Sequence, residues 1–333
     1  MLWAIWMSFR SIGRSVRGIY RSWEGYDRRF AYCSPILHSG EACSRRGDMS
    51  LRIIVDSPWS DEVPAGLCLR AELSVRSLKW ALEHGFLHER TDGAIPSILF
   101  GREEGGRHGN FHPASYQRIC SIPAWSKRLE KVHTAYRRAR VRANWSWKEL
   151  DCSNSSDALL MNVFCYPGLT DVPRVRALLG NDPSASPEFG YKPRTPLSNG
   201  RRDNTEIDMR LGGLLLEAKL TACDFQVGDR RLVERYCNFD IIFDITQLPF
   251  RNGKHLGYQL IRGALAAYAS GGNFCVLCDA CRVDLQERWY SILRAVRLSD
   301  LRCRLKLLTW QELATAVPFD LQEFLETKYG IVP

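Results

Sequence analysis

The chain has 333 residues, enough for two domains or one large one, and its hydrophobic content of 45% is ordinary for a globular protein. Twelve cysteines in a chain of this length exclude a small disulfide scaffold, so we expect reduced thiols and a cytoplasmic protein. The formal net charge of +9 favours a polyanionic partner without naming it.

The first region, residues 1–48, is predicted to be a basic, poorly ordered leader. Its apolar start is too short to span a bilayer, so no membrane partner is expected. Four arginines recur as on one face of a helix, which leaves an amphipathic targeting segment as the alternative: Arg10, Arg14, Arg17 and Arg21. A more ordinary sequence begins at Met49, and whether residues 1–48 belong to the native protein stays open.

The second region, residues 49–150, is predicted to be mostly helical, with a strand at 50–56 and a helix at 71–87. Its main feature is a basic helix over 123–143. Seven basic residues face one acid, Glu130, between positions 126 and 147: Lys127, Arg128, Lys131, Arg137, Arg138, Arg140 and Arg142. Such a run predicts binding to a nucleic-acid backbone, and the alternative is a solvated helix face.

The third region, residues 151–333, begins with a helix capped by Ser155 or Ser156, followed by a surface loop at 168–187. The remaining predicted elements are strands at 188–197, 205–211, 214–220, 273–279 and 303–309, and helices at 257–270, 284–296, 311–316 and 320–328. This order of helix, three strands, helix, strand, helix, strand and helix predicts an α/β fold with a mixed sheet.

The most informative stretch is 205–220, TEIDMRLGGLLLEAKL, which reads as a β-hairpin turning at Gly212-Gly213. Strand alternation predicts that Asp208, Glu217 and Lys219 share one side of the hairpin. Two carboxylates beside an ammonium group suit a Mg²⁺ (or Mn²⁺) site that hydrolyses phosphodiesters, with the carbonyl of Ala218 as a further ligand. The alternative is an ordinary charged edge, but the apolar run at 214–216 favours a central strand.

A second Glu-x-Lys sequence occurs at Glu326-Thr327-Lys328. It lies in the last turn of a predicted helix and has no hairpin before it. We therefore expect no active site there.

Together, SSDALLMNVF, EFGYK, TEIDMRL, LLLEAKL and YQLIRGALAAY resemble the PD-(D/E)xK nuclease superfamily, and more narrowly an uncharacterised bacterial restriction-endonuclease subgroup. The resemblance covers roughly residues 151–280, although no proline precedes Asp208. It implies a restriction-endonuclease-like core with a central mixed sheet flanked by helices. It also implies that Asp208 and Glu217 bind metal, that Lys219 assists the attacking water, and that Gln259 supports them.

The acid that completes the metal site is not fixed by the sequence. Glu188 opens the strand next to the hairpin and is favoured, while Asp157 and Glu206 are alternatives. Cys275, Cys278 and Cys281 are spaced as C-x2-C-x2-C, which suggests an iron–sulfur cluster only weakly. Cys275 and Cys278 are predicted to point to opposite faces of a strand, which is a poor geometry for binding one cluster.

These patterns predict a Mg²⁺-dependent DNA endonuclease of a restriction or defence system. One alternative is a catalytically silent nucleic-acid-binding module, and another is a nuclease for RNA or branched DNA. A homodimer is also left open by the sequence.

Overall fold

A computed structural model describes residues 63–132, 148–180 and 185–333. Within these ranges the strands are β1 (His88–Arg90), β2 (Ile98–Phe100), β3 (Pro187–Tyr191), β4 (Ile207–Leu211), β5 (Leu214–Ala218), β6 (Val227–Asp229), β7 (Phe250–Arg251), β8 (Lys254–Leu256), β9 (Asn273–Cys278) and β10 (Leu305–Thr309).

The α-helices of the same ranges are α1 (Ala65–His84), α2 (Pro113–Ser121), α3 (Pro123–Ser126), α4 (Ser156–Phe164), α5 (Pro173–Leu179), α6 (Arg230–Val233), α7 (Phe239–Ile242), α8 (Tyr258–Ser270), α9 (Val283–Ala295), α10 (Ser299–Arg304), α11 (Trp310–Ala314) and α12 (Phe319–Tyr329). None of the helices described is long and apolar enough to cross a membrane.

The central sheet has five strands in the order β10–β9–β5–β4–β3. Strands β5, β9 and β10 are parallel, whereas β3, β4 and β5 are antiparallel, so the predicted mixed sheet is confirmed. One hydrophobic core joins the sheet to α1, α4 and α12, and the other joins it to α8 and α9. All five residues of β5 are buried, as expected of a strand covered on both faces.

The hairpin of β4 and β5 forms as predicted. Gly212 has a φ of +58°, which a glycine adopts without strain, and Leu211 pairs with Leu214 across the turn. Because Met209 pairs with Leu216, the same antiparallel register continued by one residue sets Asp208 opposite Glu217.

The single helix predicted over 123–143 is wrong in the part that the structure describes, residues 123–132. After α3, residues Lys127–Glu130 form a 3₁₀ turn, and Lys131 is extended with a ψ of 114°. The cause is burial: Trp125 and Leu129 belong to a core with α2 and α4, which holds the segment against the domain. The leader and the strand predicted at 50–56 lie outside the described residues. So do four of the seven predicted basic residues: Arg137, Arg138, Arg140 and Arg142.

The surface loop predicted at 168–187 is also wrong in part, since α5 lies within it. Pro173 begins this helix, a position where its missing N–H costs nothing, and Val175 and Leu179 are buried. Gly180 ends it with a φ of +65°. The Pro, Gly, Asp and Ser residues of 168–187 favoured the prediction of a loop, although a short amphipathic helix lies within it.

A small sheet of order β6–β8–β7, together with α6 and α7, is inserted between β5 and α8. Its strands are two or three residues long. This insertion separates the Glu-x-Lys strand from the helix that carries Gln259, and it packs beside both.

Candidate active site

The predicted charged residues of the hairpin meet at the carboxyl end of β5. The ammonium of Lys219 donates a hydrogen bond to Oε1 of Glu217 at 2.8 Å, and Oδ2 of Asp208 accepts one from the backbone N–H of Ala218 at 2.8 Å. The exposed fraction is 1% for Glu217 and 7% for Lys219, and Asp208 is half-buried. Charged groups this deep are costly unless they are paired or hold a ligand.

The two carboxyl groups and the ammonium group of the cluster change one another's pKa values. Burial, together with the charges of Glu217 and Asp157, raises the pKa of Asp208 well above its usual range. Burial lowers the pKa of Lys219, but Glu217 and Asp208 outweigh it, so this pKa is raised overall. Lys219 is therefore protonated at neutral pH.

Gln259 enters the site from the first turn of α8. Its Nε2 donates a hydrogen bond to Oε1 of Glu217 at 2.5 Å, so the structure brings together all four of the predicted catalytic side chains. Its Oε1 is buried and has no hydrogen-bond partner among the residues described. A buried acceptor without a donor needs a hydrogen-bond partner, which a ligand or a water molecule would supply.

Asp157, which the sequence analysis ranked behind Glu188, lies near the acid pair. It is in the first turn of α4 and is buried, and its charge acts on the pKa values of both Asp208 and Lys219. Its Oδ2 accepts hydrogen bonds from Arg128 at 3.1 Å and from Lys131 at 2.8 Å.

Glu188 is held elsewhere. It pairs with Arg210 across β3 and β4, and Nε of Arg210 donates to its Oε1 at 2.8 Å. The guanidinium of Arg210 also stacks on Tyr191 at 4.1 Å, and the Glu188 side chain is 50% exposed. The structure thus places Glu188 in a surface ion pair, two residue pairs along the sheet from Asp208.

Arg128, whose predicted contact with nucleic acid stays a prediction, bridges two acids at the edge of the site. It is bound to Asp157 and also donates to Oε2 of Glu206 at 3.2 Å. Gly190, with a φ of +64°, permits this approach, because a Cβ there would lie 2.2 Å from Nη1 of Arg128. Lys127 is exposed.

The donor set fits a hard divalent cation held by few protein ligands. The second carboxylate oxygens of Asp208 and Glu217 have no hydrogen-bond partner among the residues described, and they join the orphan Oε1 of Gln259. No group of three or more His, Cys, Asp or Glu side chains within the described ranges is placed to hold a metal. Mg²⁺ is nonetheless commonly bound by one or two carboxylates with water and substrate phosphate.

The cysteine run follows the predicted alternation. Cys275 belongs to the core under α4, whereas Cys278 belongs to the core under α8, so their thiols lie on opposite faces of β9. Burial raises the pKa of each thiol to about 12, which disfavours the thiolate that a metal cluster requires.

Phe225 is a contact of the site that sequence reasoning missed. Its ring centroid lies 5.7 Å from Nζ of Lys219, and its carbonyl accepts a hydrogen bond from the N–H of Gln259 at 3.0 Å. It belongs to the irregular start of the insertion after β5, where no periodic pattern indicates which side chains turn inward.

Comparison with known families agrees with this geometry. A family model described as "Restriction Endonuclease associating with ARP" matches residues 87–330. The match covers more than half of the chain, so the chain belongs to this family, and the restriction-endonuclease-like identification is confirmed. No curated protein and no solved structure matches significantly.

Proposed function

We propose that this member of the restriction endonuclease family is a metal-dependent nuclease that hydrolyses DNA phosphodiester bonds in a restriction or defence system. The observation that carries the proposal is the cluster of the buried Glu217 and Lys219 with the half-buried Asp208 on the central sheet. One oxygen of each carboxylate has no hydrogen-bond partner among the residues described. Such burial costs on the order of several kcal/mol per charge, and a catalytic role explains its retention.

Asp208 and Glu217 would hold Mg²⁺ or Mn²⁺, together with the carbonyl of Ala218. Asp157 is our preferred third acid in place of Glu188, and we propose that it acts through its charge, which reaches Asp208 and Lys219, instead of as a metal ligand. When bound, the metal would neutralise charge on the phosphate and lower the pKa of a water molecule.

The protein side chains then have separate roles. Lys219, held protonated by Glu217, would stabilise negative charge on the phosphoryl oxygens instead of acting as a base. Gln259 donates to Glu217, and its Oε1, which has no partner among the residues described, can accept a hydrogen bond from the attacking water and so orient it.

The test is nicking of supercoiled plasmid DNA with Mg²⁺ by wild type, Lys219→Met and Lys306→Met. Lys306 is a matched control, since it lies on β10 of the same sheet and donates to the carbonyl of Leu179 at 3.0 Å. We expect Lys219→Met to lose about 100-fold or more, the scale of removing one stabilising group, and Lys306→Met to keep its rate. Equal rates in folded wild type and Lys219→Met would overturn the proposal.

The same assay separates the alternative functions. A silent binding module would show salt-sensitive DNA binding and no Mg²⁺-dependent cleavage. RNA and branched DNA belong in the substrate panel, because the site chemistry is common to all phosphodiesters. Dimerisation and a cytoplasmic location stay predictions.

A further inference from the structure

A second basic surface lies on residues that the sequence analysis did not single out. We name it the arginine surface and define it by four exposed side chains: Arg201, Arg202, Arg231 and Arg235. Two of these come from the turn before β4, and two come from α6 and the residues that follow it. In the sequence they occur as short pairs, SNGRRDN and GDRRLVERY, more than 25 residues apart.

Backbone hydrogen bonds join the two segments. The N–H of Ser198 donates to the carbonyl of Arg235 at 2.8 Å, and the N–H of Cys237 donates to the carbonyl of Pro196 at 3.1 Å. Leu197 and Tyr236 form a β-bridge between these two bonds. The four arginines are therefore presented by one connected piece of backbone.

The positive charge of this surface is not neutralised. Among the residues described, Arg201, Arg231 and Arg235 have no ion-pair partner. The nearby acids are bound to other groups. Asp203 accepts from Thr205 and Tyr236, at 2.6 Å each, and Glu234 pairs with Arg230 at 2.8 Å.

Part of the segment first predicted to bind nucleic acid is different. Among its described residues, Arg128 and Lys131 are both engaged by Asp157, whereas Lys127 is exposed. A guanidinium beside a carboxylate has part of its charge offset, so it attracts phosphate less than an unpaired exposed guanidinium does.

The arginine surface shares its framework with the candidate active site. The hydroxyl of Tyr236 donates to Asp203 at 2.6 Å and lies 3.0 Å from that of Tyr258, the residue before Gln259. The insertion that carries α6 begins at Phe225, which contacts Lys219. Contacts thus connect the arginine surface to the residues beside Gln259 and Lys219.

The form of the surface favours an extended phosphate backbone over a free nucleotide. A shallow cleft of about 630 Å³ is lined by Arg230, Arg231 and Arg235. Asp229 also lines it, with its carboxylate 3.6 Å from Nζ of Lys254, and none of the active-site carboxylates does. Small-molecule sites are mostly enclosed and apolar, unlike this open arginine-lined one. Planar guanidinium groups spread over two segments suit successive phosphates of one strand.

We propose that the arginine surface binds the backbone phosphates of the DNA duplex beside the scissile bond. The inference rests on the proposed function for its choice of DNA as the partner. Binding needs no catalysis, however, so the two can fail separately.

The test measures binding of a fluorescent 30-base-pair duplex in EDTA over a range of salt concentrations. It compares wild type with Arg201→Gln/Arg231→Gln/Arg235→Gln. The matched control removes three arginines that are equally exposed and equally free of ion pairs among the residues described: Arg90→Gln/Arg174→Gln/Arg294→Gln. Both triple variants lose the same net charge.

We expect the arginine-surface variant to bind roughly ten-fold more weakly at moderate salt, with a salt slope shallower by about 2.7 for three lost phosphate contacts. The control should change little. Equal affinities and slopes for both variants would overturn the inference, as would displacement of the duplex by AMP or inorganic phosphate at equal phosphate concentration. Normal binding without Mg²⁺-dependent cleavage would instead overturn the proposed function alone.

Discussion

The chain contains two Glu-x-Lys sequences, and the structure buries the lysine of both. On β5 the residues Glu217 and Lys219 point the same way, and their charged groups meet at 2.8 Å. On α12, residues two apart are separated by about 200° around the axis, so Glu326 is exposed while Lys328 is buried. The same three letters therefore produce a charge pair on a strand and separate the charges on a helix.

The surroundings of the two lysines have opposite electrostatic effects. Nζ of Lys328 donates to Oδ1 of Asn110 at 2.6 Å and lies 4.1 Å from the ring centroid of Tyr329 and 5.3 Å from that of Phe100. Its exposed fraction is 0%, and burial lowers its pKa well below the usual range. The pKa of Lys219 is raised instead. Nearby carboxylates, more than burial, determine whether a buried lysine keeps its charge.

The largest expected effect is the difference in nicking rate between substitutions of the two Glu-x-Lys glutamates, Glu217 and Glu326. Glu217→Gln removes a carboxylate that binds Lys219 and Gln259, so we expect plasmid nicking to fall about 1,000-fold, at the upper end for loss of one electrostatic group. Glu326→Gln should stay within about two-fold, since its side chain reaches solvent. Initial rates at saturating Mg²⁺ measure both. Similar losses in the two variants would contradict the distinction between the motifs.

The next effect is on stability and follows from Lys328. Its folded pKa is lowered, so the unfolded chain binds more protons below pH 10.5, and the free energy of unfolding should rise with pH towards 10.5. The slope is up to about 1.4 kcal/mol per pH unit while the buried amine is neutral. Lys328→Met should remove this contribution from urea-unfolding curves measured at pH 8 and 9.5.

The control for that measurement is catalysis. Lys328→Met should nick plasmid at nearly the wild-type rate, because Lys328 contacts Asn110 and aromatic rings and no active-site carboxylate. Parallel pH dependences of unfolding in wild type and variant would show that Lys328 is charged in the folded protein.

A smaller effect distinguishes the third acid. We expect Asp157→Asn to slow nicking about 30-fold and to raise the Mg²⁺ concentration needed for half-maximal rate, since a charge worth about 2 kcal/mol at such sites is lost. Glu188→Gln breaks only a surface pair with Arg210 and should change the rate by less than about two-fold. If Glu188→Gln is the more damaging variant, the original preference for Glu188 is correct.

The smallest effect concerns Gln259. Gln259→Met keeps the length of the side chain but removes the donor to Glu217, so we expect about a ten-fold slower rate, in line with one hydrogen bond to a charged group. Gln247→Met, at an exposed position in the insertion, is the matched control. An unchanged rate for Gln259→Met would remove this residue from the proposed site.

The sequence by itself determined those features that depend on residues close together in the chain. Alternation in β4 and β5 and the glycine pair between them fix which side chains share a face, because neighbouring residues on a strand point to opposite sides. The apolar run 214–216 likewise indicated a central strand, and the order of elements indicated the mixed sheet. Asp208, Glu217 and Lys219 could therefore be selected, and the Lys328 sequence set aside, before any contact was known.

Only the tertiary structure decided the partners of the distant charges. Arg128 lies 29 residues before Asp157 and 78 before Glu206, and no periodic pattern specifies contacts over such separations. The register of β3 and β4 pairs Glu188 with Arg210. Asp157, on α4, instead lies near enough to Asp208 for its charge to raise the pKa of that carboxyl group. A charge run in the sequence gives only the number of cations, whereas the fold determines which of them are already paired, as Arg128 and Lys131 are with Asp157.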